Sequence, residues 1–112
     1  MLKLVTFMKQ GVLVVRLEGE LDVCGATEFR AEVDEALDTT GAKHILLNMQ
    51  GVTFIDSSGL GVILGRYRHI AQLGGKLLVV HLEPQVQRIF ELAGLMKILT
   101  IYQSEDQALE LL

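Results

Sequence analysis

In the first twenty residues, two mainly hydrophobic runs are separated by a short polar segment, which predicts β-structure. Two runs rich in aliphatic residues, Leu2–Met8 and Val12–Leu17, predict strands. The hairpin turn between them falls at Lys9-Gln10-Gly11, where glycine accommodates a positive φ. The segment Gly19-Glu20-Leu21-Asp22 then interrupts the pattern, and Asp22 is a candidate cap for a helix that follows.

Beyond this point, helical spacing alternates with short strand-like runs. From about Thr27 to Leu37, apolar residues recur at i, i+4, i+7 and i+8, which predicts an amphipathic helix. The apolar positions from Leu60 to Ala71 predict a second helix, and Gly74-Gly75 is typical of a helix end. The other predicted elements are a strand at His44–Met49 continued through Gly51 to Ile55, a strand at Lys76–Leu82, a helix starting at Pro84 with Val86, Ile89, Phe90 and Ala93 on its buried face, a strand at Lys97–Tyr102, and a helix opened by the capping box Ser104-Glu105-Asp106-Gln107.

The order of these elements, β-β-α-β-α-β-α-β-α, predicts an α/β fold. Strands that alternate with helices form right-handed crossovers and a largely parallel sheet, to which the opening hairpin adds an antiparallel strand. We therefore expect one domain over residues 1–112, with a mixed, mostly parallel sheet of four or five strands and about four helices.

Composition narrows the class of protein. Half of the 112 residues are hydrophobic, which excludes a disordered chain. No stretch approaches the roughly 20 apolar residues of a membrane-spanning helix. The net charge of −4 and the absence of a clustered basic face argue against nucleic-acid binding, since Arg66, Arg68 and His69 are interpreted as the solvent side of a helix. A lone cysteine and no signal peptide indicate a cytoplasmic protein.

The sequence gives little support for a metal site or for a reactive cysteine. The histidines at 44, 69 and 81 lack the close pairs that metal sites use, so we expect no metal. Cys24 has no evident base to activate it, and we expect a buried or half-buried structural thiol.

The sequence resembles two other functional motifs, the hydrolase elbow and the dinucleotide-binding fingerprint, but matches neither. Ser57 and Ser58 lie between a strand and a helix, yet neither has the glycine two positions earlier that a hydrolase elbow requires. The glycines of Gly59-Leu60-Gly61, with Gly65, have the spacing G-x-G-x-x-x-G, which departs from the dinucleotide-binding fingerprint. The simpler interpretation is that Gly59 and Gly61 keep the first helical turn bare and that Gly65 allows close packing.

The turn Asp56-Ser57-Ser58-Gly59 remains as the most informative feature. Its two serines and its glycines exceed what a helix cap needs, and they leave a small hydroxyl beside backbone N–H groups that favour anions. Phosphorylation there adds −1.5 to −2 charges beside Asp56, which could disfavour a partner's interface without unfolding the domain. The turn is therefore a candidate phosphorylation switch.

The run from Phe54 to Tyr67 (FIDSSGLGVILGRY) resembles the signature of the anti-sigma factor antagonists, the bacterial branch of the STAS domains. The resemblance extends over nearly the whole chain. It includes Gly19–Asp22 after the second strand, Gly74-Gly75 before the fourth, and Leu92–Leu95 near the end of the third helix. Within the family, the chain is most similar to the anti-sigma F antagonists of sporulation.

This resemblance implies a role and a set of residues. It implies that Ser57 is phosphorylated by an anti-sigma factor serine kinase, that the unphosphorylated chain binds this kinase and frees the sigma factor, and that a serine phosphatase reverses the modification. It implies no enzymatic activity and no cofactor, since ATP is used by the kinase. Ser58 is then the helix cap, and Val23-Cys24 is more apolar than expected beside a polar docking loop. The implied partner-binding residues are Asp22, Asp56, Ser57, Ser58, Gly59, Leu60 and Gly61.

Two alternatives stay open at this point. The chain could be a STAS domain of a general stress-response or transporter-associated complex, which differs from the sporulation role only in overall similarity. A small nucleotide-binding subunit built on the glycine-rich turn is the alternative of a different class.

Overall fold

A computed structural model describes all 112 residues, and its element order is the predicted one. The five strands form one sheet in the order β1-β2-β3-β4-β5, in which β1 is antiparallel to β2 and every other neighbouring pair is parallel. No helix combines the length and the apolar character that crossing a bilayer requires. The elements are β1 (Lys3–Lys9), β2 (Val12–Leu21), α1 (Val23–Thr40), β3 (His44–Ile55), α2 (Ser57–Gln72), β4 (Leu77–Val80), α3 (Pro84–Leu92), a single 3₁₀ turn (Leu95–Lys97), β5 (Ile101–Tyr102) and α4 (Glu105–Glu110).

Several predicted boundaries are wrong. Strand β2 does not end at Leu17, because it pairs with β3 as far as Leu21 through two register shifts. Helix α1 begins at Val23 rather than Thr27, because Asp22 Oδ1 accepts a hydrogen bond from the Gly25 N–H at 2.8 Å. The strand predicted at Lys97–Tyr102 shrinks to its last two residues, because the chain before it forms the 3₁₀ turn.

The main core lies between one face of the sheet and helices α1, α2 and α3. Phe29 from α1, Ile63 from α2 and Phe90 from α3 are fully buried in it together with the inward residues of the strands. Two alanines predicted on buried helix faces, Ala71 and Ala93, are exposed. The predicted helical periodicity is therefore correct for the large side chains, whose burial contributes most to stability.

Arg66 was assigned to the solvent side of its helix, and this assignment is wrong. Its side chain is buried on α2, and its Nε lies 3.2 Å from Asp34 Oδ1 on α1. Neither Nε nor Nη1 makes a hydrogen bond of good geometry. The contact is thus an ion pair between the two helices, and the long aliphatic stem of arginine explains how the residue fits an apolar contact.

The opposite face of the sheet is covered by α4 alone. Ala108 and Leu109 of this six-residue helix are buried against the second face of the sheet, whose covered residues are Val12, Val14, Leu46, Leu78 and Val80. Ser104 Oγ accepts from the Gln107 N–H at 3.0 Å, as the capping box predicts, whereas Gln107 Oε1 accepts from the Gln103 N–H instead of from the cap residue.

A partly buried carboxylate, that of Glu105, fixes the first turn of α4 to the sheet. Glu105 Oε1 and Oε2 accept from the Arg16 guanidinium at 2.9 and 3.0 Å, and Oε2 also accepts from Asn48 Nδ2 at 2.8 Å. These hydrogen bonds, above all those from Arg16, lower the pKa of Glu105 to about 2. The same ion pair raises the pKa of Arg16, which also lies 4.7 Å from the centre of the Phe7 ring.

Candidate functional site

Two helices begin side by side at the carboxyl ends of two paired strands. Leu21 of β2 and Ile55 of β3 are partners in the parallel register, and Asp22 and Asp56 follow them directly. Each aspartate is the N-cap of the helix that follows it, and the Asp56 N–H lies 3.5 Å from the Leu21 carbonyl oxygen. The register of the sheet therefore brings Asp22 and Asp56, which are 34 residues apart in sequence, to one edge of the molecule.

The cap of α2 is Asp56, so the assignment of Ser58 as the cap is wrong. Asp56 Oδ1 accepts from the Ser58 N–H at 2.9 Å and from the Gly59 N–H at 3.2 Å. Ser57 is then the first residue of the helix and is exposed, while Ser58 is half-buried. A carboxylate that takes up the first N–H groups leaves the Ser57 hydroxyl free of any capping role.

The three glycines of the motif have different roles. A Cβ at Gly59 would collide with the Leu21 carbonyl oxygen and would lie 2.7 Å from Ile55 Cγ1, so this position must lack a side chain for the helix to start against β2. A Cβ at Gly61 or at Gly65 would meet open space. The expectation that Gly65 allows close packing is therefore wrong, and Gly61 leaves an exposed bare surface beside the half-buried Leu60.

The sequence analysis assigned no binding role to two apolar residues near this edge. Val23, the first residue of α1, is 64% exposed, and Phe54, the residue before the end of β3, is 47% exposed. Cys24 is also exposed, so the expectation of a buried or half-buried thiol is wrong. The apolar Val23-Cys24 pair was a visible signal, but only the start of α1 at residue 23 shows that it faces solvent.

The charges around Ser57 are acidic. Asp22, Asp56 and Glu20 lie at this edge, and Glu20 is 3.6 Å from the N-terminal ammonium group. The partial positive charges of two helix N-termini offset the two capping carboxylates. The arrangement can therefore hold a small exposed hydroxyl in a fixed position at the surface of a rigid edge.

None of the three histidines lies at the start of α1 or of α2. His44 lies at the start of β3, the opposite end from Ser57, and its Nδ1 accepts from the Lys76 N–H at 3.0 Å. Burial and the nearby Lys43 and Lys76 lower the pKa of His44. His69 lies in the last turn of α2. His81 was predicted within the strand Lys76–Leu82, but β4 ends at Val80, and His81 follows it with a left-handed φ of 60°. No group of three or more His, Cys, Asp or Glu residues is arranged to hold a metal ion.

Comparison with known proteins finds similar proteins both by sequence and by fold. Residues 4–108 match the model of the STAS domain family. The chain is 47% identical over 100 residues to an anti-sigma F factor antagonist of Paenibacillus polymyxa, which covers 89% of this chain and 86% of that protein. The fold of the present chain is similar to that of the anti-sigma factor antagonist SpoIIAA in its unphosphorylated form, with a TM-score of 0.83. The two sequences are 28% identical, and the match covers 96% of this chain and 94% of that one. The phosphorylated form of the Bacillus cell fate determinant SpoIIAA gives a TM-score of 0.75 and 28% identity, covering 96% and 97%.

Proposed function

Since the chain belongs to the STAS domain family, and within it to the anti-sigma factor antagonists, we propose that its unphosphorylated form binds an anti-sigma factor serine kinase and thereby releases a sigma factor. Phosphorylation of Ser57 by that kinase ends the binding, and a serine phosphatase restores it. We propose that this exchange takes place in the cytoplasm and serves transcription during sporulation, in keeping with the similarity to an anti-sigma F factor antagonist.

The observation that carries the proposal is the exposed Ser57 at the first position of α2. Because Asp56 caps the helix, modification of Ser57 removes no capping hydrogen bond. A phosphate at a helix N-terminus is stabilised by the helix dipole, so the domain can stay folded. The likeness to SpoIIAA in a phosphorylated form supports this point.

The effect of the phosphate on binding follows from the charges at this edge. A phosphoryl group adds −1.5 to −2 charges next to Asp56, and Asp22 follows the paired strand end. Burying such a cluster in an interface requires removing water from several like charges, which is costly unless each is paired. A complex that closes over unmodified Ser57 is therefore disfavoured once the residue is phosphorylated.

The chemistry of phosphorylation is supplied by the partner. We propose that a base of the kinase accepts the proton of the Ser57 hydroxyl while the γ-phosphoryl group passes from ATP to Ser57 Oγ and ADP leaves. The chain itself then needs no cofactor and no metal. Its part is to present one hydroxyl in a fixed position.

The test is incubation of the purified chain with the anti-sigma factor kinase of the same organism and ATP, followed by mass spectrometry of the peptides. We expect one phosphate on Ser57, none on Ser57→Ala, and normal modification of Ser58→Ala, which is the matched control. A phosphate at Ser58, or no phosphate while the kinase modifies another substrate, would contradict the mechanism.

The stress-response and transporter-associated alternatives make a different prediction in the same assay. In either case the chain would be a poor substrate for a sporulation kinase and a good one for another. A nucleotide-binding subunit would instead bind nucleotides in equilibrium dialysis without any partner, in the micromolar range.

A further inference from the structure

Strand β1 is the end strand of the sheet and has a neighbour on one side only. It is joined to β2 by the two-residue turn Gln10-Gly11, in which both residues have a positive φ, and Lys9 pairs with Val12 where the turn closes. The closing pair of such a turn is hydrogen-bonded, and along an antiparallel ladder every second residue bonds to the partner strand. The residues in between, which direct their N–H and C=O groups away from β2, are Leu4, Thr6 and Met8. These groups have no hydrogen-bond partner elsewhere in the chain.

The unpaired side of β1 borders a groove of about 430 Å³ between this strand and the C-terminal half of α1. Leu4 and Thr6 line the groove from the strand, and Glu32, Glu35 and Ala36 line it from the helix. Both glutamates are exposed, and neither forms an ion pair within the chain. No basic residue lines the groove, so its helical wall is acidic.

The side chains of β1 that alternate with the groove residues point to the opposite face of the sheet. Lys9 is one of them, and its Nζ lies 3.9 Å from Asp106 of α4, the helix that covers part of that face. Val5 is another, and it is 61% exposed. The unpaired side of β1 is therefore bordered by negative charge on the side of α1 and by an exposed apolar side chain on the other side.

We infer that β1 takes up an extended segment of a partner protein as a sixth strand, with basic side chains of that segment facing α1 and apolar side chains alternating with them. A strand end with free N–H and C=O groups is a template for pairing with another chain. In complexes of this kind, main-chain hydrogen bonds supply affinity and the side-chain pockets beside the strand supply specificity. The inference goes beyond the proposed function and uses no residue of the turn at Ser57.

The spacing of the acidic wall fits a strand with alternating basic residues. Glu32 and Glu35 are three residues apart on a helix, which places their Cβ atoms about 5–6 Å apart. Alternate residues of a strand are about 6.6–6.8 Å apart and project to the same face. Two basic side chains at positions i and i+2 of the added strand can therefore each reach one carboxylate. The residue between them points to the other face, where Val5 offers an apolar contact.

The charges favour such a segment over a second copy of this chain. If two β1 strands paired antiparallel about Thr6, Lys3 of each copy would lie opposite Lys9 of the other, and like charges in direct opposition destabilise a sheet. In any antiparallel register, the two-fold axis would also bring two acidic α1 walls to the same face of the joined sheet. A basic segment from another protein meets neither repulsion.

The experiment is a titration of the full isotope-labelled chain, followed by NMR, with the heptapeptide Thr-Lys-Val-Lys-Val-Lys-Thr, acetylated and amidated at its ends. The matched control peptide carries glutamine in place of each lysine. The variants of the chain are Glu32→Gln combined with Glu35→Gln, and Thr6→Pro, which removes one outward N–H at a position where an end strand tolerates proline. Asp38→Asn is the control substitution, because Asp38 is exposed on the same helix and does not line the groove.

We expect the amide signals of Leu4, Thr6 and Met8 to shift on addition of the lysine peptide, which should bind at least fivefold more tightly than the glutamine peptide. The double glutamine variant should bind the lysine peptide three- to tenfold more weakly, which is the loss of two exposed ion pairs. Thr6→Pro should bind at least fivefold more weakly, with its fold checked by circular dichroism, and Asp38→Asn should stay within twofold of the unsubstituted chain.

Three outcomes would overturn the inference. These are the absence of binding by the lysine peptide, equal binding of the two peptides, and unchanged affinity of the double glutamine variant, which keeps the strand intact and is substituted only at exposed positions. If the chain alone self-associates in sedimentation and Thr6→Pro abolishes that association, a second copy covers β1 and the partner segment is refuted. Because no kinase is present in the titration, none of these outcomes bears on the proposed function.

Discussion

Replacing Glu105 by glutamine is expected to loosen the attachment of α4 to the sheet. The substitution keeps the shape of the side chain and removes the charge that accepts two hydrogen bonds from Arg16 and one from Asn48. The Glu105 side chain is only 14% exposed, so little water can replace those partners.

The magnitude follows from the pKa of Glu105. The pKa falls from 4.5 to about 2 on folding. At 1.36 kcal/mol per unit, a full conversion of that difference would be about 3.4 kcal/mol of stability. Because the Arg16 side chain is 54% exposed and solvent screens the pair, we expect about 1 to 2 kcal/mol at pH 7.

The pH dependence has a definite sign. A carboxylate whose pKa is lowered by folding stabilises the native state fully above its unfolded pKa, here about 4.5. That contribution declines as the pH falls towards 2, where the folded state also binds the proton. The difference in stability between wild type and Glu105→Gln should therefore be constant above pH 6 and shrink progressively below pH 4.5.

The assay is urea unfolding followed by circular dichroism at several pH values between 3 and 7. Asp106→Asn is the matched control, since Asp106 is in the same turn, is 87% exposed, and lies 3.9 Å from Lys9. We expect the control to change the free energy of unfolding by less than about 0.5 kcal/mol. A Glu105→Gln variant as stable as wild type at pH 7, or a difference that persists undiminished at pH 3, would refute the reasoning.

Two other predictions concern the candidate site. Gly59→Ala should lower the free energy of unfolding, measured in urea, by about 1 to 3 kcal/mol, because the added Cβ would collide with the Leu21 carbonyl oxygen. The control is Gly61→Ala, whose Cβ meets open space and which should leave stability unchanged or raise it. Equal effects of the two substitutions would contradict the packing at Gly59. In calorimetry with the purified kinase, Ser57→Ala should bind with wild-type affinity, and Ser57→Asp should bind at least tenfold more weakly. Equal affinity of the two variants would show that charge at this position does not control binding.

The fold was largely predictable because its elements carry strong local patterns. The periodicity around Phe29 and Ile63 marks the buried faces of two helices, and Pro84 marks the start of a third. The end of β2 was not predictable, since Gly19 and Glu20 lack strand propensity and are held in the sheet by pairing with β3. Tertiary pairing decides such segments, and no local pattern records it.

The site was predictable in its residues but not in its geometry. Asp56, Ser57 and Ser58 can all cap a helix, and only the hydrogen bonds of Asp56 Oδ1 identify the cap. The exposure of Phe54 depends on where the short α4 ends across the sheet, which is a distance between remote parts of the chain. The burial of Arg66 likewise depends on the approach of α1 to α2.

The sequential strand order has a consequence for how the protein is made. Every strand pairs with the one synthesised just before it, so each β-α unit can add to a growing sheet without waiting for later residues. The parallel partners lie about 32 residues apart, as in Val12 with His44 and Ile45 with Leu77, and a domain can begin to fold from its N-terminal part during synthesis. The edge that carries Asp22 and Ser57 is complete once α2 has packed, well before α4 leaves the ribosome. A nascent chain should thus present its serine while the second face of its sheet is still open.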